Sequence, residues 1–235
     1  MKNLSVAFLI LNENESLKKT IEKAYIDIKK ITDDFELWIF DNNSLDGSDK
    51  TVNDLMQNIS ELKLYRQKSN VGYAQNLNSA ISQMKAKHMF VVDGDGQYDL
   101  SDIMPAINLL ENNNDVVFGI RQPRKDPLMR ILMSFFLNLL SRFILSSKLK
   151  DINCGFRGFT YEASRKIKIN YRYNFAGPEV YIMSKINELK VCEMKVKHYN
   201  RIAGISYFNG IFKIIKSSLD MVKYLFQLRK ILKKK

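Results

Sequence analysis

His88-Met89-Phe90-Val91-Val92-Asp93-Gly94-Asp95-Gly96-Gln97-Tyr98-Asp99-Leu100 is the stretch that decides the fold. An apolar, strand-forming run delivers two carboxylates one residue apart, and the glycines between and after them let the chain turn tightly. Asp93 and Asp95 offer hard oxygen ligands suited to Mg2+ or Mn2+, and Gln97 could add a carbonyl oxygen or orient a metal-bound water. A cation held there can bridge diphosphate oxygens and stabilise a departing anion. A calcium EF-hand is excluded, because counting from Asp93 its sixth and twelfth positions are Tyr98 and Met104 instead of glycine and glutamate. A haloacid dehalogenase-type Asp-x-Asp is disfavoured by Gly96-Gln97. In isolation the motif also reads as a capped strand end with a tight turn.

Outward from this stretch, the first half alternates short apolar runs with amphipathic ones, as in an α/β sheet with mostly parallel strands flanked by helices. Strands are expected at Leu4–Leu11, Phe35–Asp41, Leu62–Arg66, Met89–Asp93 and Asp115–Ile120. Helices are expected at Ser16–Lys30, Asp46–Asn58, Gly72–Met84 and Ser101–Asn112. Three strands end in polar clusters, Asn12-Glu13-Asn14-Glu15, Asp41-Asn42-Asn43-Ser44 and Asp93-Gly94-Asp95-Gly96-Gln97. Ligands of such sheets gather at the carboxyl ends of strands, so all three should line one crevice.

With 235 residues, 46% of them apolar, one compact domain with appendages is affordable. Ten glycines and four prolines leave no room for a long flexible linker. Cys154 and Cys192 lack metal-ligand spacing and fit a reducing, cytoplasmic compartment, where they read as small core residues. His88 and His198 have no paired ligands and receive no role. The amino-terminal apolar run ends in acidic and amide residues without a small-residue cleavage site, so it reads as a first strand and not a signal peptide. The net charge of +12 is concentrated at the carboxyl end, where eight basic residues from Lys213 to Lys235 face Asp220 alone. Without an aromatic-rich RNA-binding signature or zinc-finger spacing, that distribution argues against nucleic acid as the partner.

Leu128–Leu145 is mostly apolar, but Arg130 and Arg142 oppose a membrane span. Arg130, Ser134, Asn138 and Arg142 recur every four residues, a polar stripe on a greasy helix that could pack into protein or lie at a membrane surface. A last helix is expected over Phe208–Leu232. Lys213, Lys216, Asp220, Lys223, Gln227, Lys230 and Lys234 form one of its faces, and Phe208, Ile211, Phe212, Ile215, Leu219, Val222 and Phe226 the opposite one. That is a basic amphipathic helix, fitted to an anionic membrane surface or docked on the core with a solvated lysine face. Residues 1–206 are therefore expected to be catalytic and 207–235 an attachment helix.

Taken in order, these motifs resemble family 2 glycosyltransferases with the Rossmann-like GT-A fold, and among them the group that includes dolichol-phosphate mannose synthase and glycosylates polyprenyl phosphates. Leu11-Asn12-Glu13 resembles the family's strand-end Tyr-Asn-Glu, whose acid contacts the nucleoside. Asp41-Asn42-Asn43-Ser44-Leu45-Asp46-Gly47-Ser48 resembles its nucleotide-binding segment, with Asn42 where an aspartate usually reads the base. Asn70-Val71-Gly72-Tyr73-Ala74-Gln75-Asn76 is similar to the segment entering the third helix, and Asp93-Gly94-Asp95-Gly96-Gln97 to the metal-binding Asp-Ala-Asp-x-Gln. Arg121, Arg130 and Ser134 match positions that bind phosphate groups. Asp151-Ile152-Asn153-Cys154-Gly155-Phe156-Arg157 resembles Asp-x-x-Ser-Gly-Phe-Arg, with Cys154 for serine. Glu179 matches a helix-borne glutamate, and Arg201-Ile202-Ala203-Gly204-Ile205-Ser206 resembles Arg-x-x-Gly-Lys-Ser.

The resemblance implies a hexosyltransferase that moves a sugar from a UDP- or GDP-sugar to a polyprenyl phosphate with inversion. Asp93, Asp95, Arg121, Arg130, Ser134 and Arg201 would carry the reaction. Leu11, Glu13, Asp41, Asn42, Gly72, Asn76 and Gly94 would join the two aspartates in holding the nucleotide, and Asp93, Asp95 and Gln97 the cation. Its place would be the cytoplasmic membrane face, peripherally or with a separate membrane protein, in synthesis of cell-envelope polysaccharide. The alternative acceptor is a sugar hydroxyl, which requires a carboxylate base, with Asp151 or Glu179 the candidates. Arg157 and Glu179 read equally as a buried structural ion pair.

Overall fold

The computed structural model describes residues 1–126, 128–169, 176–201 and 211–233, and side-chain surroundings for all of these except 129 and 211–218. The chain runs β1 (Lys2–Ile10), α1 (Asn14–Lys29), β2 (Phe35–Asp41), α2 (Ser48–Met56), β3 (Leu62–Arg66), α3 (Tyr73–Gln83) and β4 (Ala86–Asp93). A 3-10 turn (Leu100–Asp102) leads into α4 (Ile103–Glu111), β5 (Val116–Arg121) and α5 (Leu128–Leu145). The remaining elements are β6 (Arg157–Thr160), α6 (Tyr161–Lys166), α7 (Ala176–Ile186), β7 (Val191–Val196) and α8 (Ile211–Lys233).

The seven strands form one sheet in the order β3-β2-β1-β4-β6-β5-β7. All pairings are parallel except those of β6, which lies antiparallel between β4 and β5. Helices cover both faces, which explains the nearly unbroken apolar runs of the central strands. Val6, Phe8 and Ile10 of β1 pack with Leu17, Ile21 and Ile28 of α1. Ala7 and Leu9 point the other way, into a cluster shared with Leu77 and Ile81 of α3, Val180 of α7 and Leu225 of α8.

Register brings the polar clusters together. Leu9 of β1 lies beside Asp93 of β4, and Ile10 lies beside Asp41 of β2. The segments after β1, β2 and β4 therefore leave the sheet at the same level, at its carboxyl edge, as expected. Two strands were not expected. β6 is four residues long and has no alternating pattern because Arg157 points into the interior, 2% exposed.

α5 spans the expected residues but turns its amphipathicity inside out. The middle of the stripe that reads as polar faces the protein: Ser134 and Asn138 are buried, and Asn138 Oδ1 accepts the Ile152 amide at 3.1 Å, while Arg130 is half-buried and Arg142 exposed at its ends. Leu128, Leu132, Phe135, Phe136, Leu139 and Phe143 are exposed on the opposite side, Phe143 to 75%. α8 packs against α5 and α7 through a face different from either expected one: Met221, Tyr224, Leu225 and Leu228 are buried. Leu219 and Phe226 stay exposed, as do Lys223, Lys230 and Lys233. Phe208, Lys234 and Ile202 to Ser206 lie outside the described residues, as do the side chains of the helix's first two turns. Among the described residues no helix is long and apolar enough to cross a membrane.

Candidate active site

Asp93 ends β4, and its carboxylate is seated from three sides. Tyr73, at the start of α3, donates its hydroxyl to Asp93 Oδ1 at 2.9 Å. Arg157 on β6 in turn donates from Nη1 to the Tyr73 oxygen at 3.3 Å, so a buried positive charge stands behind the carboxylate. Gly155 closes the third side, where an added Cβ would sit 2.0 Å from Asp93 Oδ2. Burial and the Asp93 charge drive the Tyr73 hydroxyl pKa upward, so it stays a donor.

Asp95 is buried, and its Oδ1 accepts the Gln97 amide at 3.2 Å. Burial and the neighbouring Asp93 push its carboxyl up to about 6. Arg201 lies across the site: Nη1 is 3.6 Å from Asp95 Oδ2, and Nη2 bonds the Glu13 carboxylate. Burial pushes Glu13 up to about 7 despite Arg201. Gln97 uses its side-chain nitrogen to hold the segment after β7, donating to the Tyr199 carbonyl at 2.9 Å, while Tyr199 N donates to Gln97 O at 2.8 Å.

The loops after β1 and β2 are sewn to each other. Asn12 N donates to Ser44 Oγ at 2.8 Å, and Asn12 Oδ1 accepts Leu45 N at 2.8 Å. Leu11, half-buried, precedes them. Asp41 Oδ1 accepts both the amide and the hydroxyl of Ser44, at 2.8 and 2.5 Å, and its Oδ2 is 3.3 Å from Arg66 Nε. Asn42 Oδ1 accepts Val71 N at 2.9 Å and its Nδ2 donates to Asn70 Oδ1 at 3.0 Å, which ties the strand end to the turn before α3. That turn needs Gly72, whose φ is +84°. Asn76 faces inward instead of into the crevice, donating to Phe40 O at 2.7 Å and accepting from Gln67 Nε2 at 3.2 Å. Gly94 is required by close approach: its amide donates to Leu9 O at 2.9 Å, and a Cβ would meet Ile10 Cγ2 at 2.3 Å.

The arginines that the resemblance assigns to phosphate lie at the end of β5 and on α5, near enough for the Arg130 charge to act on Asp95. Arg121 forks onto Asp151, Nε to Oδ2 at 2.7 Å and Nη2 to Oδ1 at 2.8 Å. Against the burial that would raise it, Arg121 holds the Asp151 carboxyl below its usual range. Arg130 reaches Asp126 Oδ1 at 3.0 Å and exerts a charge effect on Asp95. Ser134 Oγ is buried without a hydrogen-bond partner among the described residues. Glu179, 3% exposed, accepts the Tyr224 hydroxyl. Cys154 is buried, and burial pushes its thiol up to about 11, so it is inert core.

Tyr73, Tyr98, Arg124 and Asp126 were given no role by sequence reasoning, nor was His198, which was considered and set aside for want of paired ligands; Tyr73 falls inside a motif at a position without a required type, and Tyr98 directly follows one. Tyr98 accepts the Gly155 amide at 2.9 Å and stacks edge-on with His198.

The donor set fits a small divalent cation. No group of three His, Cys, Asp or Glu ligands occurs among the described residues. Mg2+ and Mn2+ at nucleotide sites are commonly held by one or two carboxylates, with phosphate oxygens and water completing the shell. Asp93 and Asp95 match that need, and the upward shift of Asp95 marks a carboxylate whose ionised form lacks a full complement of positive partners.

The sheet order, with one antiparallel strand inserted beside the acidic loop, defines a GT-A-type α/β fold. A family model of glycosyl transferase family 2 matches residues 5–169, and the chain belongs to that family. It is 24% identical over 239 residues to dolichyl-phosphate beta-glucosyltransferase ALG5D of Trichomonas vaginalis, covering 93% of this chain and 72% of that one. It is 26% identical over 227 residues to the undecaprenyl-phosphate 4-deoxy-4-formamido-L-arabinose transferase of Pectobacterium atrosepticum, covering 94% and 67%. Among solved structures it superposes on glucosyl-3-phosphoglycerate synthase from Mycobacterium tuberculosis, in complex with Mn2+, UDP and glucosyl-3-phosphoglycerate, with a TM-score of 0.70. That match is 15% identical and covers 97% of this chain and 80% of the other.

Proposed function

We propose that this glycosyltransferase moves a sugar from a UDP- or GDP-sugar to a polyprenyl phosphate, with inversion, using Mg2+ or Mn2+ held by Asp93 and Asp95. The observation that carries the reading is the pairing of an acidic crevice at Asp93 and Asp95 with an arginine group at Arg121 and Arg130 beside it. The two named relatives, a dolichyl-phosphate and an undecaprenyl-phosphate sugar transferase, support the acceptor. The Mn2+ and UDP of the structural neighbour support the donor side.

In a direct displacement, an acceptor phosphate oxygen forms a bond to the anomeric carbon as the bond from that carbon to the diphosphate oxygen breaks. The nucleoside diphosphate leaves, and no proton moves, because the phosphate is already anionic at neutral pH. A bound cation would supply Lewis-acid stabilisation of the leaving diphosphate. Tyr73 and Arg157 hold Asp93 in place, and Gly155 limits its rotamers. Glu13, Asp41, Asn42 and Gly72 would shape the nucleoside side, together with Leu11 and Gly94. Arg201, bridging Glu13 and Asp95, would move its donors onto the diphosphate. Arg121, Arg130 and Ser134 would bind the acceptor phosphate, the buried Ser134 hydroxyl having no protein partner among the described residues.

A sugar-hydroxyl acceptor would need a base, yet Asp151 is forked by Arg121 and Glu179 accepts from Tyr224. Neither is placed as an open carboxylate, which favours the phosphate acceptor.

Residues 1–206 then form the catalytic unit, and the exposed apolar side of α5 and the lysines of α8 approach an anionic membrane surface. Burying two of the six exposed α5 side chains in lipid would contribute about 3–6 kcal/mol, and each lysine near anionic lipid roughly 1 kcal/mol. The test is transfer from labelled UDP- and GDP-sugars to undecaprenyl phosphate, with product read as label in a lipid extract. Label on a soluble saccharide and none on lipid would replace this acceptor with a sugar hydroxyl.

A further inference from the structure

The loop after β5 carries two residues, Arg124 and Asp126, to which the reaction outlined above gives no role. Asp126, whose side chain is 2% exposed, is approached by three guanidinium groups. Arg124 Nε lies 2.6 Å from Oδ2, Arg130 Nη1 3.0 Å from Oδ1, and Arg121 Nη1 3.5 Å from Oδ2. Against its burial, Arg124, Arg130 and Arg121 together hold the Asp126 carboxyl below its usual range.

The three arginines differ in what they have left to offer. Arg121 also uses Nε and Nη2 on Asp151, which leaves Nη1, 3.5 Å from Asp126, and the second N–H of Nη2 as its donors for a phosphate. Arg124 and Arg130 each commit one nitrogen to Asp126, and their other guanidinium nitrogens have no carboxylate partner among the described residues. Three guanidinium groups against two carboxylates leave an excess of positive charge, which suits a phosphate.

The loop itself is pinned. Gln122 N donates to Val196 O at 3.0 Å, and Lys125 N donates to His198 Nδ1 at 3.3 Å. Burial holds His198 down at about 4, so the ring is neutral and able to accept. The same segment carries Tyr199, bonded to Gln97 of the acidic loop, so the arginine loop and the carboxylate loop share one anchor.

We propose that Asp126 is a positioning residue that gathers Arg121, Arg124 and Arg130 into one receptacle for a phosphate monoester, and that Arg124 is a further phosphate-binding side chain in it. Like-charged guanidinium groups repel and would otherwise splay. A carboxylate behind them keeps their inner edges together and turns the remaining N–H groups of Arg124 and Arg130 outward. The proposal rests on the phosphate-acceptor reading for its biological ligand, but the receptacle can be tested without it.

The experiment compares wild type with Asp126→Asn, Asp126→Glu and Arg124→Gln. With undecaprenyl phosphate as acceptor, Asp126→Asn and Arg124→Gln should raise the acceptor KM about tenfold while kcat changes less than about threefold. Asp126→Glu should recover most of the loss, and the Kd for the nucleotide-sugar should not move. An unchanged or lowered KM in Asp126→Asn would overturn the proposal, the latter by showing that Asp126 competes with phosphate. Equal weakening of donor binding would overturn it too, by placing the cluster on the diphosphate. Inorganic phosphate titrated by thermal shift is the second arm. It should stabilise wild type and lose that effect in both Asp126→Asn and Arg124→Gln. If wild type fails to use the lipid yet shows this phosphate pattern, the acceptor reading fails and the receptacle stands. If phosphate shifts all proteins equally, the receptacle fails. Should Asp126→Asn not fold, Arg124→Gln decides by the same readouts.

Discussion

Tyr73 donates its hydroxyl to Asp93 Oδ1 at 2.9 Å, and through that oxygen the buried Arg157 is coupled to the acidic loop. A helix start, a strand end and an inserted antiparallel strand thus meet at one carboxylate. Removing the hydroxyl takes from the half-buried Asp93 its donor, and from the buried Arg157 its acceptor, among the described residues.

Tyr73→Phe should therefore cost about 1–3 kcal/mol of stability and weaken Mn2+ binding. Chemical denaturation gives the first quantity and Mn2+ titration the second. Unchanged stability and unchanged metal affinity would remove the coupling.

Gly155→Ala puts a Cβ where Asp93 Oδ2 now lies, 2.0 Å from the ideal position. The Asp93 rotamer must change, so transfer activity should fall by roughly 100-fold, the order associated with a 1 Å misplacement at a reacting centre. A steady-state assay on folded protein, verified by circular dichroism, measures it.

His198 gives a pH signature. Its folded pKa of about 4 lies below the ordinary value of 6.5, so the unfolded chain binds its proton first. That contribution to stability is complete above pH 6.5 and is lost as pH falls toward 4. Glu13 and Asp95, raised to about 7 and about 6, act in the opposite sense, because their folded forms take up protons before the unfolded chain does. The difference between wild type and His198→Asn isolates the histidine: the variant should lose less stability than wild type between pH 6.5 and 4. Parallel melting curves across that range would contradict the buried neutral ring.

The exposed side of α5 predicts a membrane phenotype. Phe135→Asp with Phe143→Asp should reduce flotation with vesicles containing anionic lipid by tenfold or more, about 1.4 kcal/mol or above. Both positions are exposed, so the melting temperature should hold. Unaltered flotation would take the membrane surface away from α5.

Most of this geometry was legible in the sequence where one strand obeys one rule. β2 and β3 fall on the expected residues, and β1, β4 and β5 shift only at their ends; β1, β2, β4 and β5 are mostly buried apolar runs, whereas β3 is the edge strand Leu-Lys-Leu-Tyr-Arg with only Leu62 buried. β6 was hidden because Arg157 and Gly158 break the apolar pattern, and their reason lies in tertiary contact with Tyr73 and Phe90. β7, Val-Cys-Glu-Met-Lys-Val, sits at the sheet edge and is half exposed, so it carries no strong period. The polar stripe of α5 was visible, but its direction was not: Asn138 faces inward because the Ile152 amide needs an acceptor there. Asp93 and Asp95 stood out by spacing alone. Asp126 did not, since a lone aspartate in a basic loop reads as solvated until the fold folds three arginines over it.

The central claim is that Asp93 and Asp95 bind a nucleotide-sugar through a divalent cation. Calorimetric titration of UDP- and GDP-sugars into wild type and Asp95→Asn, with Mn2+ and with chelator, tests it most directly. One donor should bind wild type with Mn2+, and lose at least tenfold in affinity both on chelation and in Asp95→Asn. Equal affinity for that donor in chelator and in the variant would contradict the account.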